Sequence, residues 1–350
     1  MHSICRPSLP ALSAVSARPS ASRWSATVLP TVLAALLAAT VAGCGGGSGG
    51  NTASSSNGAV VGNGSGQTGS GSGTTVPADA PVATGDTATD AVNWFNYRRG
   101  MLGLSVLTRN TTIDTAALGH SRYLQLNNTV SHGQQSGKPG FTGDTTGARL
   151  TAAGYAITPP YAFGEVISAA GNTSGAFHAE QLIAAIYHRF VIFEPVFREI
   201  GAGAVTANGN FTYLTADLAA SGALGTGLGA GKIAVYPVAG QTAVSTSFMS
   251  DQEEPDPVPD RNEVGYPISV HADLRTSGGE LTVQSFTVAP RGGAALATRL
   301  LSHATDASTG ATVAAIVPLA VLSGNTTYDV SFRGAVSGVA VSKDWSFSTR

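Results

Sequence analysis

The apolar residues divide the chain into stretches of different period. Residues 28–42 form a short, nearly continuous apolar run, interrupted only by Pro30, Thr31 and Thr40. Residues 45–75 are almost entirely Gly, Ser, Asn and Thr. From Asp90 onward apolar positions fall three and four apart. Val92, Phe95 and Arg99 share one helical face, with Thr87 and Asp90 as candidate N-caps and Gly103 as the stop. A second helix is predicted over Asp114–Leu126, where Ala117, His120, Tyr123 and Leu124 lie together. A third is predicted over Ala176–His188, apolar at Phe177, Leu182, Ile183, Ile186 and Tyr187. Two strands follow, Ile200–Val205 and Phe211–Asp217, joined by Asn208-Gly209, a strong short hairpin signal. Helices outside an antiparallel sheet imply an α/β sandwich over residues 86–220. Past a Gly/Ala-rich linker, Ser221–Gly231, the period drops to two in Thr282–Val288, Tyr328–Phe332 and Trp345–Phe347. Turns at Ser277-Gly278-Gly279, Gly292-Gly293 and Ser323-Gly324-Asn325 punctuate these runs, so residues 234–350 read as an all-β sandwich.

Composition changes this picture mainly at the N-terminus. Only 11% of residues are charged, against about 25% in ordinary soluble domains. The net charge is −2 and no basic stripe is present, which argues against nucleic acid as a partner. Arg6, Arg18 and Arg23, with no acid beside them, precede the apolar run in the manner of a signal peptide. The run is short of the roughly 20 residues that span a bilayer. It ends in Val41-Ala42-Gly43-Cys44, which resembles the bacterial lipobox. That resemblance implies a leader over residues 1–43, cleavage before Cys44, and lipid on its sulfur. Residues 44–80 then form a flexible tether whose Gly/Ser-rich part reaches roughly 30 Å root-mean-square. The expected partner there is a membrane, bound through acyl chains at about 0.8 kcal/mol per buried CH₂. Gly45 stands where lipoproteins retained in the inner membrane carry Asp, so an outer membrane is the expected address in a Gram-negative cell. Of the two cysteines, Cys5 and Cys44, only Cys44 survives cleavage, which leaves no intramolecular disulfide.

The α/β part resembles a known family. Asn96-x-x-Arg99, Gly103-Leu104-x-x-Leu107, Ala117-x-x-His120-Ser121-x-Tyr123 and Ser131-His132 occur in the order of bacterial CAP domains, also called SCP domains. Arg149-x-x-x-Ala153-Gly154-Tyr155, Gly164-Glu165, His188-Arg189, Pro195 and Glu199-Ile200-Gly201-Ala202-Gly203 continue the series. The resemblance covers roughly residues 88–218 and implies a three-layer α-β-α sandwich. The chain also departs from the family pattern. Val166 replaces the Asn that usually follows the Glu, the third helix lacks a Trp, and the loop from His132 to Arg149 is long. A second carboxylate of eukaryotic members has no clear counterpart, Asp144 being a candidate substitute.

By the same resemblance, His132, Glu165 and His188 share a cleft. Imidazole nitrogen and carboxylate oxygen suit Zn²⁺ or another divalent cation, and without metal the same groups suit acid–base chemistry. No other cofactor is implied. Spacing alone would not group these residues, since they lie far apart in the chain and no His-Glu-x-x-His occurs. His120 reads as structural, His178 as solvent-facing near a helix start, and Arg189 as a helix-end cap or buried ion-pair partner. The acidic, Pro-rich stretch from Asp251 to Asp260 reads as a solvated loop. Val235-Tyr236-Pro237 and the terminal Phe347-Ser348-Thr349 resemble bacterial Ig-like modules. The favoured expectation is a non-enzymatic, envelope-tethered module binding a small apolar, cell-wall or protein ligand. The alternatives are a metal-dependent hydrolase of peptide, cell-wall or ester bonds, and a lipid or sterol binder.

Overall fold

A computed structural model describes residues 80–273 and 280–350, all within one compact unit. The expected leader, Cys5, Cys44, the Gly/Ser-rich part of the tether and the Ser277-Gly278-Gly279 turn lie outside the described residues.

Helix α1 spans Thr87–Met101 and is capped by Asp86, whose side chain accepts from the Thr89 amide. Asp90 is a first-turn residue rather than the cap. Its carboxylate accepts from the amide and hydroxyl of Thr84, both at 2.7 Å, which ties down the entering chain. A two-residue strand, β1 (Thr108–Arg109), leads into α2 (Thr111–Asn127). Asn110 caps α2, so this helix begins earlier than the apolar spacing indicates. A short helix α3 (Thr146–Ala152) and strand β2 (Ala162–Ala170) are not legible in the pattern. The third predicted helix is two helices, α4 (Gly175–Ala184) and α5 (Ile186–Ile192), separated by Ala185 in an extended conformation. The predicted hairpin is present as β3 (Glu199–Thr206) and β4 (Thr212–Ala220), with Gly209 at φ 75° in the turn.

These strands form one sheet in the order β1-β3-β4-β2, antiparallel except for the parallel β1–β3 pair. Alternation assigns its faces. Val166, Ile200, Ala202, Leu214, Ala216 and Leu218 join the apolar residues of α1 and α4. Tyr213 and Ile167 meet Tyr123 and Leu124 of α2, while Ala219 meets Ile113, Ala116 and Leu150. The glycines of Gly201-Ala202-Gly203 are explained by this second contact. A Cβ on Gly201 would lie 2.2 Å from the Asp114 nitrogen, and one on Gly203 would lie 2.2 Å from the Leu118 Cα. Only glycine lets α2 lie directly on the backbone of β3.

The C-terminal part is all-β, as expected. Its strands are β5 (Ile233–Tyr236), β6 (Ser247–Met249), β7 (Glu263–Gly265), β8 (Ile268–Ala272), β9 (Leu281–Pro290), β10 (Thr298–Ser302), β11 (Val313–Pro318), β12 (Thr327–Val336) and β13 (Val339–Ser348). They form antiparallel sheets β10-β11-β8-β5 and β13-β12-β9, with β6–β7 as a separate ribbon.

The two parts are not spaced apart by the linker. One apolar cluster runs from α1 and α4 through Ile192 and Phe193 to Tyr236, Val270, Val330 and Phe347. The Phe193 ring lies 5.2 Å from Tyr236 and 5.5 Å from His271, centroid to centroid. On another side of α5, Ile186 and Phe190 pack with Phe248, Val258, Val264 and Val317. The reason is local: α5 and its C-cap are apolar on most sides, and such a helix is stable only when covered all round. Arg189 caps the last turn of α4, as one of the two expectations has it, and has no ion-pair partner among the described residues. Its Nε donates to the Ile183 carbonyl at 2.6 Å and its Nη1 to the Pro267 carbonyl at 2.7 Å. The guanidinium lies 4.9 and 5.0 Å from the ring centres of Tyr236 and Tyr266. The linker itself is held, with the Gly225 amide donating to the Val196 carbonyl at 2.7 Å. Among the described residues no helix is long and apolar enough to cross a membrane.

Candidate functional site

The structure brings His132, Glu165 and His188 together. His132 follows α2, Glu165 lies on β2, and His188 lies on α5. The His132 Nδ1 is 2.8 Å from Glu165 Oε1. The two imidazole rings are 6.4 Å apart, centroid to centroid. Exposure is graded: the His132 side chain is 41% accessible, that of His188 17%, and that of Glu165 only 2%. The site is thus open at its histidines and closed at its carboxylate.

Glu165 is held from every side. Its other oxygen accepts from Arg149 Nη2 at 2.6 Å, and His120 Nε2 stands 3.8 Å from Oε1. Burial alone would raise its pKa, but the His132 hydrogen bond and the Arg149 charge outweigh burial and hold it at about 2. Asp217 sits opposite Glu165 in the β2–β4 register and is fully buried. Burial first, and then the Glu165 charge, push its carboxyl well above the usual range. Burial thus disfavours a second charge beside Glu165, whose own charge faces Arg149 at 2.6 Å.

His120 behaves as the structural residue expected. It is buried, with Nε2 donating to the Ser131 carbonyl at 2.9 Å and Nδ1 accepting from Gln134 Nε2 at 2.9 Å. Burial, and then the nearby Arg149 charge, lower its pKa to about 4, so it is neutral. Its bond to Ser131 fixes the residue before His132. His178 corrects the sequence reading: it is buried, not solvent-facing. Its Nε2 donates to the Asn172 carbonyl at 2.8 Å and Nδ1 accepts from the Ser168 hydroxyl at 2.7 Å, joining α4 to β2.

The second correction concerns the acidic stretch. Asp251–Asp260 is not uniformly solvated, because Glu253 is 3% exposed. Its carboxylate accepts from His188 Nδ1 at 3.0 Å and from the backbone amides of Ile186, Tyr187 and His188 at 2.7, 2.7 and 3.1 Å. Asp306, also from the C-terminal part, accepts from the Tyr187 hydroxyl at 3.1 Å. Each site histidine thus has a buried carboxylate at Nδ1, and Nε2 of each ring has no protein hydrogen-bond partner among the described residues.

Sequence reasoning missed Arg149, Asp217 and Glu253 as parts of this site. Arg149 belongs to the Arg149-x-x-x-Ala153-Gly154-Tyr155 motif, which gives its place in the family order and not its partner. Asp217 is an acid in a strand buried along its whole length, a usable signal once the strand is known. Glu253 had no local signal. Among the described residues, no three His, Cys, Asp or Glu side chains are grouped so as to hold a metal ion. The surface depressions of about 470 and 490 Å³ are lined by none of His132, Glu165 or His188.

Residues 92–218 match the model of the CAP family, described as the cysteine-rich secretory protein family. Similar solved structures include an extracellular protein containing an SCP domain from Bacillus anthracis str. Ames, at 22% identity and TM-score 0.32. That match covers 38% of this chain and 39% of the Bacillus protein, well under two thirds of its length. An outer surface protein from Borrelia burgdorferi matches at 14% identity and TM-score 0.34, covering 40% of this chain and 96% of that one. No curated protein matches the chain.

Proposed function

Taking residues 92–218 as a CAP domain, we propose that the protein is an extracytoplasmic binding module, held to a membrane by lipid on Cys44. Its ligand-holding groups are His132 and His188. One observation carries this reading: both rings have Nδ1 engaged by a buried carboxylate and Nε2 unpaired among the described residues, 6.4 Å apart between centroids. A histidine held in this way by a carboxylate is the arrangement that orients imidazole toward a metal. The donor set fits a borderline divalent cation such as Zn²⁺ bound by two imidazoles. It does not fit a closed structural site, because Glu165 already spends both oxygens on His132 and Arg149. The cation would keep positions for water or for donor groups of a cell-wall or protein ligand, and would supply Lewis acidity to whatever binds there. We read the C-terminal two-sheet region as an Ig-like sandwich that is built into the module rather than appended to it.

The test is calorimetric titration of the whole chain with Zn²⁺ at pH 7.5. One equivalent should bind, and His132→Ala and His188→Ala should each abolish it. Equal uptake by wild type and both variants would sink the reading. A hydrolase would use the same residues, so turnover of a peptide or ester substrate that both variants abolish would move the assignment to an enzyme. For the tether, labelled palmitate should enter the wild-type protein and not Cys44→Ser. Label in both would refute the anchor.

A further inference from the structure

The N-cap position of helix α5 is Ala185, which has no side chain able to cap it. The first amides of a helix need partners, and buried ones need them most. Here the acceptor comes from 65 or more residues downstream, since Glu253 accepts from the amides of Ile186, Tyr187 and His188. A cap would account for those three bonds. It does not account for the fourth, in which Oε1, the oxygen that accepts from the Tyr187 and His188 amides, lies 3.0 Å from His188 Nδ1.

The loop that delivers Glu253 is fixed by its own contacts. The Ser250 amide donates to the Asn262 carbonyl at 2.8 Å, the Val258 amide donates to the Ser250 hydroxyl at 3.0 Å, and that hydroxyl also pairs with Asp256. Phe248, Val258 and Val264 around it pack on Ile186 and Phe190. The Glu253 side chain is fully inaccessible to solvent. Its relation to His188 mirrors that of Glu165 to His132, where Nδ1 is 2.8 Å from the carboxylate.

We propose that Glu253 is the positioning carboxylate of the site: it fixes His188 with the proton on Nδ1 and the Nε2 lone pair free, so that the site is composed jointly by the α/β and C-terminal regions. This rests on the cation reading above only for its binding readout. A carboxylate that merely capped α5 would be replaceable by any other cap. A positioning carboxylate would not be.

The experiment separates the two roles. Glu253→Ala removes both the cap and the histidine partner. Adding Ala185→Ser restores a side-chain cap at a residue whose backbone (φ −67°, ψ 117°) already has N-cap geometry, and gives nothing to His188 Nδ1. Each whole-chain variant is melted, titrated with Zn²⁺, and examined by long-range ¹H–¹⁵N spectra of the histidine rings at pH 8. In wild type His188 should be the Nδ1–H tautomer. In Glu253→Ala it should become a tautomer mixture, with Zn²⁺ affinity down about 10–100-fold. In the double variant the melting temperature should recover while tautomer and affinity stay altered. Recovery of the wild-type tautomer and affinity in the double variant, or no change in either single readout, overturns the proposal. Should the Ala variants not fold, Glu253→Gln keeps the shape and one acceptor oxygen. A several-fold loss of affinity is then expected, and a wild-type value overturns the proposal. Were wild type to take up no Zn²⁺, the cation reading would fall and the tautomer comparison would still decide the role of Glu253.

Discussion

The two halves of the site are built differently. The His132 half is self-contained: His120, Gln134, Arg149, Glu165 and Asp217 all come from the α/β region. The His188 half is borrowed: its helix is capped, its imidazole partnered and part of its apolar surface covered by residues from 236 onward. The difference teaches that the boundary of the matched family segment, residue 218, is not a boundary of the site.

The strongest way to break this comparison is to remove the borrowed part. Truncation to residues 80–221 would expose Ile186, Phe190, Ile192, Phe193 and the Arg189 guanidinium, all buried in the whole protein. At roughly 1.5–3 kcal/mol per large apolar side chain, that loss rivals the whole stability of a domain, about 5–15 kcal/mol. The fragment should show no cooperative melt. A sharp transition near that of the whole chain would mean that the two regions are independent.

Within the self-contained half, Glu165→Gln leaves Arg149 buried without its carboxylate, and should cost about 3–5 kcal/mol in denaturant unfolding at pH 7. Its pH signature has a definite sign. Glu165 is held at about 2, below its usual value of 4.5, so its stabilisation is complete above about pH 4.5 and disappears as pH falls toward 2. The gap between wild type and variant should therefore close across that window. A gap independent of pH would contradict the charge assignment.

Glu194, at the junction of the regions, has the opposite sign. Its Oε2 accepts from the Thr312 hydroxyl, and burial raises its pKa from 4.5 to about 7. The folded protein is then favoured below about pH 4.5 and progressively loses that stability as pH rises through 7. Glu194→Gln should be more stable than wild type at pH 8, by at most about 3–4 kcal/mol, and no more stable at pH 4. Equal stability at both values would show that the junction does not strain this carboxylate. The smallest effect belongs to Arg333→Ala. Its partner Asp344 and itself are exposed, and loss of their 2.8 Å pair should leave the melting temperature unchanged, since such surface pairs contribute little.

Much of the self-contained half was legible in the sequence. The Asn208-Gly209 turn and the period of α2 each reflect a local constraint, whereas the Gly201-x-Gly203 spacing reflects the distant packing of α2 and was legible only within the ordered motifs, which also led to His132, Glu165 and His188. What escaped was set by contacts distant in the chain. Strand β2 carries no clear alternation because both its faces are covered by helices. The α4–α5 break at Ala185 is invisible to an apolar pattern that runs on without interruption. His178 looks like a polar residue at a helix start, and only its Ser168 and Asn172 partners show why burial is tolerated. Glu253 lies among acids that are mostly exposed, and nothing in its own stretch distinguishes it.

The continuity of the apolar core through Phe193, Tyr236 and His271 also bears on how such chains can be recombined. A chimaera cut in the linker at 221–231 would separate α5 from its cap and from half of its covering surface. A graft that carries His188 into another framework must carry the ribbon β6–β7 and the turn bearing Glu253 with it. Conversely, replacing the C-terminal sheets while retaining residues 80–221 calls for a substitute acceptor at Ala185 and a new apolar bed for Phe190. The exchangeable segment of this protein is the whole stretch from Asp86 to its C-terminal strand.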